Sequence, residues 1–274
     1  MRTNYNLYYD RAIPGMREGS INFPRVSTYS AKKGAVKEVW TITIPASPTA
    51  STTYSVTLNN GLGTARYKTD ASPTQAELQT GILNAIRTNP AFGTRGIAEV
   101  SSTNVIFTAL NFGGENLLAS ASLTVAKTTA AVIPAAVPFG RFVARAVGET
   151  DPGVAGLPAA TTDVVLGITH IVHDIEMTPS RFTGVSGLGT TYSVPDTMDV
   201  VDRTGESAGI WVECVESDIT INDSVYVSVA SGHKGKATKV SSGTIDVSNK
   251  AAFRHPPVVS STGTLSVLIG FNVP

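Results

Sequence analysis

The chain has 274 residues, enough for one large domain or two modest ones with a sizeable core. Hydrophobic residues make up 42% of it and charged residues only 15%, which argues against disorder and leaves an outer surface that is not simply solvated. Its 21 basic and 21 acidic residues cancel, so there is no positive excess to drive general nucleic-acid binding, and the single cysteine, Cys214, excludes an internal disulfide or a zinc site of several thiolates.

Three regions differ in texture. Residues 1–35 begin with "YNLYYDRAIPGM" (5–16), an aromatic arm ended by Pro14-Gly15, and continue through the polar, irregular "GSINFPRVSTYSAKKG". Arg2 is followed by no apolar run, so the start does not read as a secretory signal. No stretch reaches the roughly 18 apolar residues of a membrane span.

Residues 36–133 read as a self-contained α+β domain. "VWTITI" (39–44) puts Trp40, Ile42 and Ile44 on one face, the alternation of a half-buried strand. "YSVTL" (54–58) and "TARYK" (64–68) flank Asn59-Asn60-Gly61, a hairpin signal. A helix follows, with Ser72 as the expected N-cap, Pro73 in the first turn and Gln75 completing a capping box. Its apolar stripe is Leu78, Ile82 and Ile86, with Leu83 and Ala85 beside it, and Asn89-Pro90 stops it. Strands are then expected around 97–100, at "NVIFTAL" (104–110) and at the strictly alternating "LLASASLTV" (117–125). The sum is one sheet of about six strands with one helix across its face.

"AAVIPAAVP" (130–138) reads as the exit linker. Residues 134–274 then carry short strands: "GRFVARAVG" (140–148), "DVVLGITHIVHDI" (163–175), "GIWVECV" (209–215), "DSVYVSV" (223–229), "KATKV" (236–240), "TIDV" (244–247) and "GTLSVLIGFNV" (263–273). Turn signals separate them and no helix intervenes. The expected fold is mainly β: an antiparallel barrel or sandwich body with a small inserted α+β domain. The very apolar last strand is expected at the centre of its sheet.

No residue cluster reads as catalytic. His170 and His173 form an H-x-x-H beside Asp174 and Glu176, but on a strand residues three apart face opposite ways, so a satisfied or surface pair is the better reading. "GVSGLGTT" (184–191) lacks the lysine of a phosphate-binding loop and the strand-to-helix setting, and reads as a loop. "SAKK" (30–33) is too short to carry a catalytic pattern, and Lys32 and Lys33 read as a solvated, salt-bridging pair. Asp199 and Asp202 sit with Arg203 and Glu206 in a stretch that reads as a polar, exposed turn. Trp40 and Trp211 read as core anchors. Neither a metal nor a cofactor is expected.

Several stretches together resemble the structural cement, or capsid decoration, proteins of tailed bacteriophages: "YYDRAIPGM", "PFGRFVARAVGE", "VVLGITHIV", "GIWVECVESDITINDSVYVSV" and the closing "GTLSVLIGFNV". They span the first and third regions. The middle region, with "YSVTLNNG" and "YKTDASPTQAELQTGILNAI", resembles an α+β module inserted in phage virion proteins. The resemblance implies a barrel-like body on the outside of a capsid assembled in the host cytoplasm, the major capsid protein and further copies of the chain as partners, often as trimers, and no enzymatic activity. It implies no partner among nucleic acids or membranes. Under this reading Tyr5, Tyr8 and Tyr9 supply stiff amphipathic contacts, Asp10 and Arg11 fix register, and Pro14 turns the chain back to its own body. The arm pairing as an edge strand within its own body is the competing expectation. A tail-associated or receptor-binding virion protein is the alternative function, and a hydrolase with dispersed residues a third.

Overall fold

A computed structural model describes residues 14–15, 17–18, 25–170, 191–192, 197–204, 208–260 and 263–271. The chain divides into two compact units: a body of Met1–Lys33 with Pro134–Pro274, and an inserted unit, Gly34–Ile133. The fold is mainly β and its strand pairs are antiparallel; the described strands form separate small sheets and no closed barrel.

The inserted unit has two sheets rather than one. The first is ordered Gly96–Ser101, Asn104–Ala109, Val39–Thr43, Thr124–Thr129, and the second Gly63–Lys68, Thr53–Leu58, Leu117–Ala119. The alternating run 117–125 is broken because Ala121 takes a positive φ of 56°, so Leu117–Ala119 joins one sheet and Thr124–Thr129 the other. Leu123, between them, stays buried. A period of two does not reveal such a turn when the turn residues are themselves small.

Helix α1, Gln75–Thr88, buries Leu78, Ile82, Leu83 and Ile86. Full burial of an aliphatic side chain is worth about 1.5–3 kcal/mol, so this stripe fixes α1 to the sheets against its entropy of ordering. The cap is Thr74, not Ser72: its side chain accepts from the Glu77 N–H at 3.2 Å. Gln75 instead donates from its side chain to the Ile44 carbonyl at 2.9 Å, tying the helix start to the sheet. Gly81 lets Tyr67 lie against the helix, since a Cβ there would come within 2.4 Å of the ring. The Tyr67 hydroxyl donates to Glu77 at 2.7 Å. A second short helix, α2 (Pro90–Gly93), places Phe92 edge-on to Phe107 at 5.8 Å. Tyr54, Phe92 and Phe107 are fully buried, and among the described residues this core is built from positions within 34–133.

In the body, Leu265–Phe271 lies between Gly209–Glu213 and Ala251–Val259, with Arg17–Glu18 beyond Gly209–Glu213. A second four-stranded sheet is ordered Phe142–Arg145, Val164–Thr169, Thr197–Arg203, Arg25–Ser30. Three of these strands lie where the sequence analysis expected none. Arg25–Ser30 is exposed or half-buried throughout, Thr197–Arg203 carries Asp199, Asp202 and Arg203, and Ala251–Val259 contains Pro256-Pro257. The last is an edge strand with two register shifts, the place where prolines are tolerated. Val137–Pro138, within the expected linker, pairs with Thr191–Tyr192. The largest core packs Phe142 against Phe271 at 5.6 Å, among Ile168, Val201, Val212 and Val267.

Candidate interaction site

Pro14 and Gly15 are the described residues of the candidate arm; Tyr5, Tyr8, Tyr9, Asp10 and Arg11 lie outside the described residues. The Gly15 N–H donates to the Trp211 carbonyl at 2.7 Å. Pro14 and Gly15 press on Gly140, whose φ is +65° and where a Cβ would come within 2.5 Å of both the Gly15 nitrogen and the Pro14 Cβ. Gly140 in turn donates to the Thr169 carbonyl and accepts from the Glu213 N–H, both at 2.9 Å. Pro14, Gly15 and Gly140 thus form a close-packed backbone junction between strands of the two four-stranded sheets of the body. Two residues later, Arg17–Glu18 pairs with Gly209 and Ile210.

Among the described residues weighed as catalytic candidates, Asp202, Asp199 and His170 lie on or at the end of strands of the body. Asp202 is 4% exposed and lies on a strand, not in a turn; its carboxylate accepts from the Arg25 Nε at 2.7 Å and the Ser27 hydroxyl at 2.8 Å. Asp199 lies on the same strand, half-buried, its carbonyl accepting from the His170 N–H at 3.2 Å. His170 is buried at the end of Val164–Thr169, and the Tyr192 hydroxyl donates to its carbonyl at 3.0 Å. His173, Asp174, Glu176, Glu206 and nearly all of 184–191 lie outside the described residues. Burial pushes the Cys214 thiol up to about 12, so it is inert as a nucleophile. Trp40 and Trp211 are both buried.

Lys33 is not solvated. Its ammonium pairs with Asp163 inside the body, where the two side chains are 8% and 5% exposed, and it also donates to the Leu157 carbonyl at 3.1 Å. Asp163 further accepts from the Ala159 and Ala160 N–H groups at 2.7 and 3.0 Å. In the inserted unit, buried Glu38 takes Lys127 and the Glu115 N–H at 3.1 Å, and buried Glu115 takes the Asn59 amide at 2.6 Å. Carboxylates filled with donors in this way hold structure and have little capacity left for proton transfer. The side-chain partners Lys33–Asp163, Lys127–Glu38 and Asn59–Glu115 were invisible in sequence because they lie 56 to 130 residues apart.

Among the described residues no group of three or more His, Cys, Asp or Glu side chains is placed to hold a metal ion. No helix among them is long and apolar enough to cross a membrane.

What the geometry presents is a β-rich scaffold in which Pro14 and Gly15 are tied to strands of the body. The family model described as "Structural cement protein (E217 gp24/Pam3 gp6)" matches residues 107–268. The chain belongs to this phage structural cement family. No curated protein matches it. Among solved structures, a chain of "The capsid of Myoviridae Phage XM1" is similar at 23% identity and a TM-score of 0.34, covering 50% of this chain and 76% of that one.

Proposed function

We propose that the chain is a non-enzymatic virion protein that binds the outside of a phage capsid and cements neighbouring capsomers. Its partners are the major capsid protein and further copies of itself, assembled as a trimer, and residues 1–16 form the contact arm. The observation that carries this reading is the family match over residues 107–268. The neutral charge and the saturated buried carboxylates agree with it. A specific interface buries about 1,600 Å² in total. At about 25 cal/mol per Å² of apolar area, its gross gain is tens of kcal/mol before association removes most of it. Repeated over many equivalent sites, a small surplus resists expansion of the shell.

The test is addition of the purified protein to shells assembled without it. The proposal expects saturable binding and a higher temperature of shell disruption. Binding without any gain in shell stability would leave a decoration role and contradict cementing. Deleting residues 1–13 is expected to weaken shell binding while leaving the fold intact.

A further inference from the structure

The two long sheets of the body end in edges, and unpaired edges are sites of strand addition unless they are blocked. The Ala251–Val259 edge carries Pro256-Pro257 and two bulges. The Phe142–Arg145 edge is covered: Phe142 donates to the Gly235 carbonyl, and Ala144 exchanges two hydrogen bonds with Gly156. The Gly209–Glu213 edge is taken by Gly15, Arg17–Glu18 and Gly140. In the inserted unit, Arg87 caps the Ala98 carbonyl on one edge and Lys127 places a charge on another.

Arg25–Ser30 differs. The N–H of Ser30 donates to the Gly153 carbonyl at 2.7 Å and its carbonyl accepts from Ala155 at 3.0 Å, so the backbone groups of Ser30 point away from Thr197–Arg203. Backbone groups alternate along a strand, which points those of Thr28 and Val26 the same way. No hydrogen bond from another described residue reaches them. Both residues are exposed and β-branched, and Val26 is 41% exposed. Among the described residues the edge from Arg25 to Tyr29 is an open template about 17 Å long.

We propose that this edge is the socket for the N-terminal segment of a second copy, whose residues 5–10 add to it as an extended strand. The inference rests on residues 1–16 being the contact arm. Thirteen residues precede Pro14, and extended they reach about 43 Å, enough to leave one body and cover the edge of another. Tyr5-Asn6-Leu7-Tyr8-Tyr9 is rich in strand formers and uncharged until Asp10, as strand addition beside Val26 and Thr28 requires. Aromatic residues opposite β-branched ones are favourable cross-strand pairs. Arm and edge are different surfaces, so the contact is head-to-tail, and three such contacts close a ring.

The test is sedimentation velocity of the full chain over a concentration range, beside three variants. Thr28→Pro removes one outward N–H and leaves the inward bonds of Ser27 and Tyr29 to the neighbouring strand, and edge positions accept proline. Val26→Lys places a charge on the edge without altering the backbone. The wild type is expected to self-associate, each edge variant to do so about tenfold more weakly, and deletion of residues 1–13 to abolish association. Val26→Lys decides the matter if Thr28→Pro fails to fold. Folded edge variants that associate like the wild type, while the deletion does not, would overturn the socket and leave the arm standing. A deletion that associates like the wild type would overturn both. A wild type that stays monomeric throughout would overturn pairing between copies.

Discussion

Lys33 and Asp163 stand 130 positions apart and meet with almost no solvent around them. Removing one member of a buried pair strands the other, at a cost of about 3 kcal/mol or more. Lys33→Met is therefore expected to lower stability by about 3 kcal/mol in a denaturant melt; a change within experimental error would show that the pair is dispensable. The pair also has a pH signature. Burial acts to raise the Asp163 carboxyl, but the N–H of Ala159, the Lys33 ammonium and the N–H of Ala160 outweigh it, and its pKa lies below the ordinary value. A depressed carboxylate contributes stability that is complete above the unfolded pKa of about 3.9 and is lost as pH falls through the lower folded value. The stability gap between wild type and Asp163→Asn should be flat from neutral pH to about 5 and shrink below about 4. A gap that widened in acid would contradict this account of Asp163.

At the scale of elements, helix α1 was legible because its stripe repeats at the helical period, and its cap was displaced by two residues because Ser72 and Thr74 are both good caps. The side chain that accepts from the third helical N–H decides between them, and that is Thr74. Thr74→Ala is expected to cost about 1 kcal/mol, read as a lowered melting temperature, whereas Ser72→Ala should be close to neutral. The reverse order would return the cap to Ser72. The central Leu265–Phe271 was legible from its apolar run, whereas Thr197–Arg203 was not, because Asp199, Asp202 and Arg203 masked its buried Met198, Val200 and Val201. Arg25–Ser30 was not, because it is an edge strand whose residues are all exposed or half-buried, which leaves no alternation to read. The proposed arm rests on its tyrosines and its Pro-Gly stop. The proposed socket had no counterpart in the sequence, since an open edge is defined by what other strands leave unpaired.

Across the whole molecule, the division into a body and an inserted unit follows from where apolar residues find partners. Among the described residues, the core of the inserted unit is built from residues between Trp40 and Val125, and Val36 and Val132 exchange two backbone hydrogen bonds near its ends. A fragment of residues 34–133 is expected to unfold cooperatively by itself in urea; a non-cooperative transition would show that it depends on the body. The structural role was legible only through family resemblance, because a role carried by surfaces leaves no short motif to read in a sequence. The measurement that tests the cementing role most directly is quantitative mass spectrometry of particles purified from the phage that encodes this chain, counting it against the major shell protein. The proposal predicts a ratio near a fixed stoichiometry with the shell. A handful of copies per particle would place the chain at a unique vertex or in the tail, and absence from the particle would contradict a virion role altogether.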